Sequence, residues 1–71
     1  MNQQIKLLDV VALLKDMPEK KLKKGQVGTV VEKLDEHVFE IEFSDKTGKA
    51  LAILPILEKD LLLLKYGMEV A

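Results

Sequence analysis

Two glycines three residues apart open the run Lys24-Gly25-Gln26-Val27-Gly28-Thr29-Val30-Val31, and this run constrains the chain more than any other. Valine and threonine favour a pleated strand, and a glycine within one marks a bulge or a close backbone approach. The run therefore predicts a long, bent strand from Gln26 to Leu34, the central strand of a very small β-barrel. Across that bend Val27 and Val31 are expected to face inward. Because Gly25 and Gly28 precede a strand rather than a helix N-terminus, the run does not predict a phosphate-cradling loop.

The remaining elements follow from local signals. Leu7-Leu8-Asp9-Val10-Val11-Ala12-Leu13-Leu14 is an apolar, partly β-branched run that predicts a first strand. Asp16 to Gly25 reads as a long connection, since Pro18 pins its own φ, restricts Met17, and the lysines there have no periodic apolar face. Leu22 is its expected anchor. His37 to Phe43 alternates strictly, with Phe39, Ile41 and Phe43 on one face and Val38, Glu40 and Glu42 on the other. The turn Ser44-Asp45-Lys46-Thr47-Gly48 leads to a fourth strand from Lys49 to about Leu54, with Gly48 placed for positive φ. Pro55-Ile56-Leu57 is expected to break the ladder as a 3₁₀ turn, and Leu61 to Leu64 to form a last strand against the first.

Five short strands, a long first loop, two hairpins and a 3₁₀ turn before the last strand are the element order of an SH3-like barrel. The expectation is thus an all-β, five-stranded SH3-like barrel, a single domain over residues 1–71, with residues 1–4 and 67–71 as flexible tails. A chain of this length buries only ~60% of the surface that its unfolded form exposes. Aromatic residues make up 4% of it, so the core has to be aliphatic.

The same elements support a resemblance. The stretch Lys24 to Glu32, followed by Val38-Phe39-Glu40-Ile41-Glu42-Phe43-Ser44-Asp45, resembles a family of small, mainly bacterial and cyanobacterial domains of unknown function. Asp9-Val10-Val11-Ala12-Leu13, Pro18, Leu22, Leu61 and Leu64 extend the likeness over about Ile5 to Leu64. The turn Asp35-Glu36-His37 departs from it, where such domains tend to carry Gly or Asn. The glycine-bearing strand is also similar to the KOW motif of ribosomal and transcription-factor domains. These resemblances imply a fold and no activity.

Little in the chain points to catalysis. With no cysteine and one histidine, His37, a transition-metal site would have to be made largely from carboxylates. Ser44, Thr29 and Thr47 have no base placed near them in sequence, and Glu40 and Glu42 read as a solvated strand face. The chain is expected to be a non-enzyme without cofactor, metal or small-molecule substrate. The N-terminus lacks the layout of a signal peptide and the apolar run Ala50 to Leu57 is too short to span a bilayer, which, with the absence of cysteine, points to the cytoplasm and to no membrane insertion.

Charge and surplus hydrophobicity carry the functional expectation. Lys15 to Lys33 holds six lysines, and Asp35 to Asp60 seven acids. Thirteen leucines exceed what so small an interior holds, so Val11, Leu13, Leu62, Ile53 and Val38 are expected outside it, as an interface or as edges open to strand addition. The reading is a protein-interaction module, an adaptor or antitoxin-like partner of another small protein or a homo-oligomer, binding through Val11, Leu13, Leu62 and the loop lysines Lys20, Lys21, Lys23 and Lys24. A KOW-like RNA- or ribosome-associated domain is the alternative. It is weakened by the lack of any arginine, whose guanidinium fork grips phosphate and reads guanine. An accessory subunit of a larger complex is the third.

Overall fold

The chain builds one antiparallel sheet in the order β4-β3-β2-β1-β5, from β1 (Val10–Leu13), β2 (Val27–Asp35), β3 (Val38–Ser44), β4 (Ala50–Leu57) and β5 (Leu61–Leu63). The computed structural model describes residues 4–45 and 47–64. Of the tails expected at 1–4 and 67–71, only Gln4 lies among them. Two 3₁₀ turns, Pro18–Lys20 and Glu58–Asp60, complete the described elements, so the fold is all-β as expected.

The inner face of the sheet is the core. Across the strands Leu63, Val11, Gly28, Phe43 and Ala52 stand in register, as do Val30, Ile41 and Leu54. Phe39 pairs with Ile56 and Leu13 with Leu61. Ile5 and Leu22 close over this layer from outside the strands, and no charged or polar residue is buried among the described residues.

Gly28 decides which residues face in. A Cβ built on it would lie 2.7 Å from Ile41 Cγ2, 2.9 Å from the Glu42 carbonyl oxygen and 2.9 Å from Phe43 Cδ1. The position admits only hydrogen, which is the close approach expected there. Strand parity then carries Val30 inward and Val27 outward, leaving Val31 half-buried. The expected assignment of Val27 and Val31 to the interior is therefore corrected. The bulges of β2 fall later, between Val30 and Glu32 and between Lys33 and Asp35.

Other boundaries shift for local reasons. The first strand is shorter than expected because Leu7 and Leu8 form a turn, in which Asp9 N–H donates to the Lys6 carbonyl (3.0 Å) and Lys6 N–H to Asp9 Oδ2 (2.7 Å). Leu8 sits at φ 68° there and is 72% exposed. Pro55 does not break the ladder: β4 runs on to Leu57, and Pro55 pairs with Glu40 on an edge strand. An edge is where a residue without an N–H need remove no ladder bond. The 3₁₀ turn before the last strand is three residues later, at Glu58–Asp60.

That turn also requires curvature. β4 and β5 are opposite edges of the sheet, which in a flat sheet would stand ~19 Å apart, four spacings of ~4.8 Å. Leu57 to Leu61 is four Cα steps, ~14 Å at full extension and less in a 3₁₀ turn. The sheet must therefore roll until its edges approach. Glu58 N–H donates to the His37 carbonyl (2.8 Å) at one end of the link, and Leu14 N–H to the Asp60 carbonyl (2.8 Å) at the other.

Candidate functional site

The outer face of the rolled sheet gathers the exposed apolar residues. Four cross-strand rows stand on it: Leu62-Ala12-Val27, then Val10-Thr29-Glu42-Ile53, then Glu32-Glu40-Pro55, then Asp35-Val38-Leu57. Leu51, Ile53, Pro55 and Leu57 are all exposed along β4, Ile53 by 52%. Leu62 is 47% exposed, with Val27 exposed in the same row. The four β4 residues alternate with the buried Leu54 and Ile56, so one side of the strand is exposed and apolar along most of its length.

Two of the residues assigned to an interface lie elsewhere. Val11 and Leu13 are 0% and 1% exposed and belong to the core. Val11 stands opposite Gly28 in register and is fully buried, while Leu13 packs inward beside Leu61. The alternate residues Val10 and Ala12 are the outward ones. Both faces of β1 are apolar, so no period-2 signal distinguishes them, and only the pairing with Gly28 does. Leu62 and Ile53 stand outside the core and Val38 is half-buried.

The four loop lysines are all exposed. Lys20 ends the first 3₁₀ turn and Lys21 takes a left-handed conformation at φ 59°, its N–H donating to the Pro18 carbonyl at 3.0 Å. Leu22 anchors the loop, as expected, by exchanging backbone hydrogen bonds with Met17 (2.9 and 3.1 Å) and burying its side chain. Lys24 N–H donates to Asp16 Oδ1 (2.8 Å), and Gly25, at φ 93°, turns the chain into β2. Among the described residues Lys20, Lys21, Lys23 and Lys24 make no ion pair; the loop's one ion pair is Lys15 Nζ to Asp60 Oδ2 at 3.3 Å.

The acids are distributed differently. Glu32 stands directly opposite Glu40, with Glu42 two residues along, and none of the three has a cation partner among the described residues. Like charges directly opposite one another destabilise a sheet. No group of three or more possible metal ligands exists among the described residues.

Two polar contacts stand outside the sequence reading, one between residues 21 apart in the chain and one within the Asp45–Lys49 turn. His37 Nδ1 lies 2.9 Å from Glu58 Oε1, and this hydrogen bond, aided by the charges of Glu36 and Glu58, raises the imidazole above its ordinary value of 6.5. With the Glu58 N–H bond to the His37 carbonyl it ties the β2–β3 turn to the Glu58–Asp60 turn. Asp45 Oδ1 accepts from Thr47 Oγ1 (2.7 Å), Thr47 N–H (2.8 Å) and Lys49 N–H (3.0 Å), and these bonds, the hydroxyl first, hold its carboxyl below 3.8. Both contacts are exposed, and each fastens a turn.

No described helix is long and apolar enough to cross a membrane. Comparison with known proteins returned a family model, a domain of unknown function (DUF4926), that matches residues 7–63. No curated protein and no solved structure matched the chain.

Proposed function

The chain belongs to the DUF4926 family of domains of unknown function, and we propose that it is a non-enzymatic, SH3-like protein-interaction module that binds through the outer face of its sheet. The observation that carries this reading is the exposed apolar row Leu51, Ile53, Pro55 and Leu57 on β4, with a second exposed apolar pair, Leu62 and Val27, on the same face of the sheet. The strand order and the short link between the two sheet edges support the SH3-like architecture. Face-on packing is favoured over strand addition: Pro55 interrupts the open edge of β4, and β5 is three residues long.

A cytoplasmic adaptor or antitoxin-like partner fits this surface. RNA binding through Lys20, Lys21, Lys23 and Lys24 is less well supported, because Phe39 and Phe43 are in the core and the described surface offers no Phe, Tyr or Trp ring for base stacking.

A photo-crosslinking residue at Ile53, incorporated in cells that express the protein, tests the reading. Discrete protein adducts are expected at Ile53 and not at Lys49, and adducts at neither position would refute it. An RNA domain would instead give nucleic-acid adducts from the Lys20–Lys24 segment.

A further inference from the structure

The outer face carries two apolar patches of opposite charge. One is the row Leu62-Ala12-Val27, entered by the chain directly from exposed Lys23 and Lys24, with Lys20 and Lys21 on the same loop. The other is Ile53, Pro55 and Leu57, in register with Glu42, Glu40 and Val38 and extended by Glu32. The four lysines outnumber Asp16 and Glu19 on their loop and make no ion pair among the described residues, and Glu32, Glu40 and Glu42 make none either. The opposed pair Glu32 and Glu40 is unfavourable within one molecule and becomes favourable once cations lie across it.

We propose that the acid-flanked patch of one copy receives the lysine-flanked patch of a second copy of this chain, an inference that rests on the outer face being an interface. Aliphatic side chains meet aliphatic side chains at the centre, and Lys20, Lys21, Lys23 and Lys24 lie against Glu32, Glu40 and Glu42 at the rim. Because the two patches differ, the contact is head-to-tail. An open assembly keeps one patch of each kind free, at its two ends, and so grows into short chains or closes into rings. The surfaces are small, so the contact belongs to the weak class, below ~1,200 Å² in total. Its rim of lysine–carboxylate pairs makes it salt-sensitive.

Sedimentation velocity at low ionic strength tests this with the full chain, a triple variant (Glu32→Gln, Glu40→Gln, Glu42→Gln) and a quadruple variant (Lys20→Gln, Lys21→Gln, Lys23→Gln, Lys24→Gln). The unaltered protein is expected to sediment faster as its concentration rises, and each variant alone to remain monomeric. An equimolar mixture of the two is expected to stop at a dimer, since one lysine patch and one carboxylate patch remain between them. Salt at 0.5 M is expected to dissolve all of these species. Circular dichroism checks that each variant is folded; should the triple variant fail, Glu40→Gln alone is expected to weaken association at least threefold.

A monomeric unaltered protein at all concentrations, or variants that associate alone as the parent does, would overturn the proposal. Adducts from Ile53 to a different protein, with no self-association, would overturn it while leaving the interaction-module reading intact. An Ile53 position that forms no adduct removes both.

Discussion

Gly28 and His37 show how much depends on single side chains. Replacing Gly28 with alanine drives a methyl group into Ile41, Phe43 and the Glu42 carbonyl, and a backbone oxygen in the middle of a ladder has little room to move. Overpacking of this kind costs about 1–3 kcal/mol. Urea denaturation of Gly28→Ala should show a loss in that range, whereas an unchanged midpoint would mean that β2 can shift away from β3. His37 gives a pH-dependent counterpart. Its folded pKa is raised, so its bond to Glu58 adds stability fully below 6.5, and the contribution is lost as pH rises through the folded value. The His37 ring signals in an NMR titration should have a midpoint above 6.5 that falls toward 6.5 in Glu58→Gln. Equal midpoints in the two proteins would show that the contact is absent in solution.

Among the elements, β4 illustrates what a proline does on an open edge. A strand of eight residues with apolar side chains on both faces is a template for edge-to-edge pairing, and Pro55 removes one donor from the middle of it. Pro55→Val should leave folding stability within about 1 kcal/mol, by analogy with other exposed substitutions, yet give the edge a continuous ladder. Its aggregation on prolonged incubation, followed by thioflavin fluorescence, should exceed that of the parent; no difference would show that the edge is protected in another way. The position of Pro55 also bears on how far the elements are legible from sequence. The alternation at Phe39, Ile41 and Phe43 predicts the β3 core face correctly, because one face is apolar and the other charged. β1 has no such contrast, and Val11 and Leu13 are read outward when they are inward. Proline is read as a strand end because its propensity describes central strands, and nothing local to Pro55 identifies β4 as an edge. The outer patch is legible as residues, in Ile53 and Leu62, but its rows follow from strand register, which no single segment contains.

At the scale of the whole molecule, folding and assembly should respond differently to salt. No charged residue is buried among the described residues, and the Lys15–Asp60 pair is on the surface, where such pairs contribute about 0–1 kcal/mol. Raising sodium chloride from 0.05 to 0.5 M should therefore shift folding stability by less than ~1 kcal/mol while abolishing the proposed self-association. A large parallel change in both would mean that the charged rim is part of the folding core.

The rolled sheet also fixes an order of events during synthesis. β2, β3 and β4 are joined by short turns and can pair as soon as each emerges from the ribosome, but β5 pairs with β1, and Val11 and Leu63 are separated by almost the whole described chain. Until residues 61–63 are free of the exit tunnel, one side of β1 has no neighbour and the core layer at Val11 and Leu13 is incomplete. A nascent chain of this kind completes its fold only once β5 has emerged to pair with β1, and until then chaperones have apolar surface to hold.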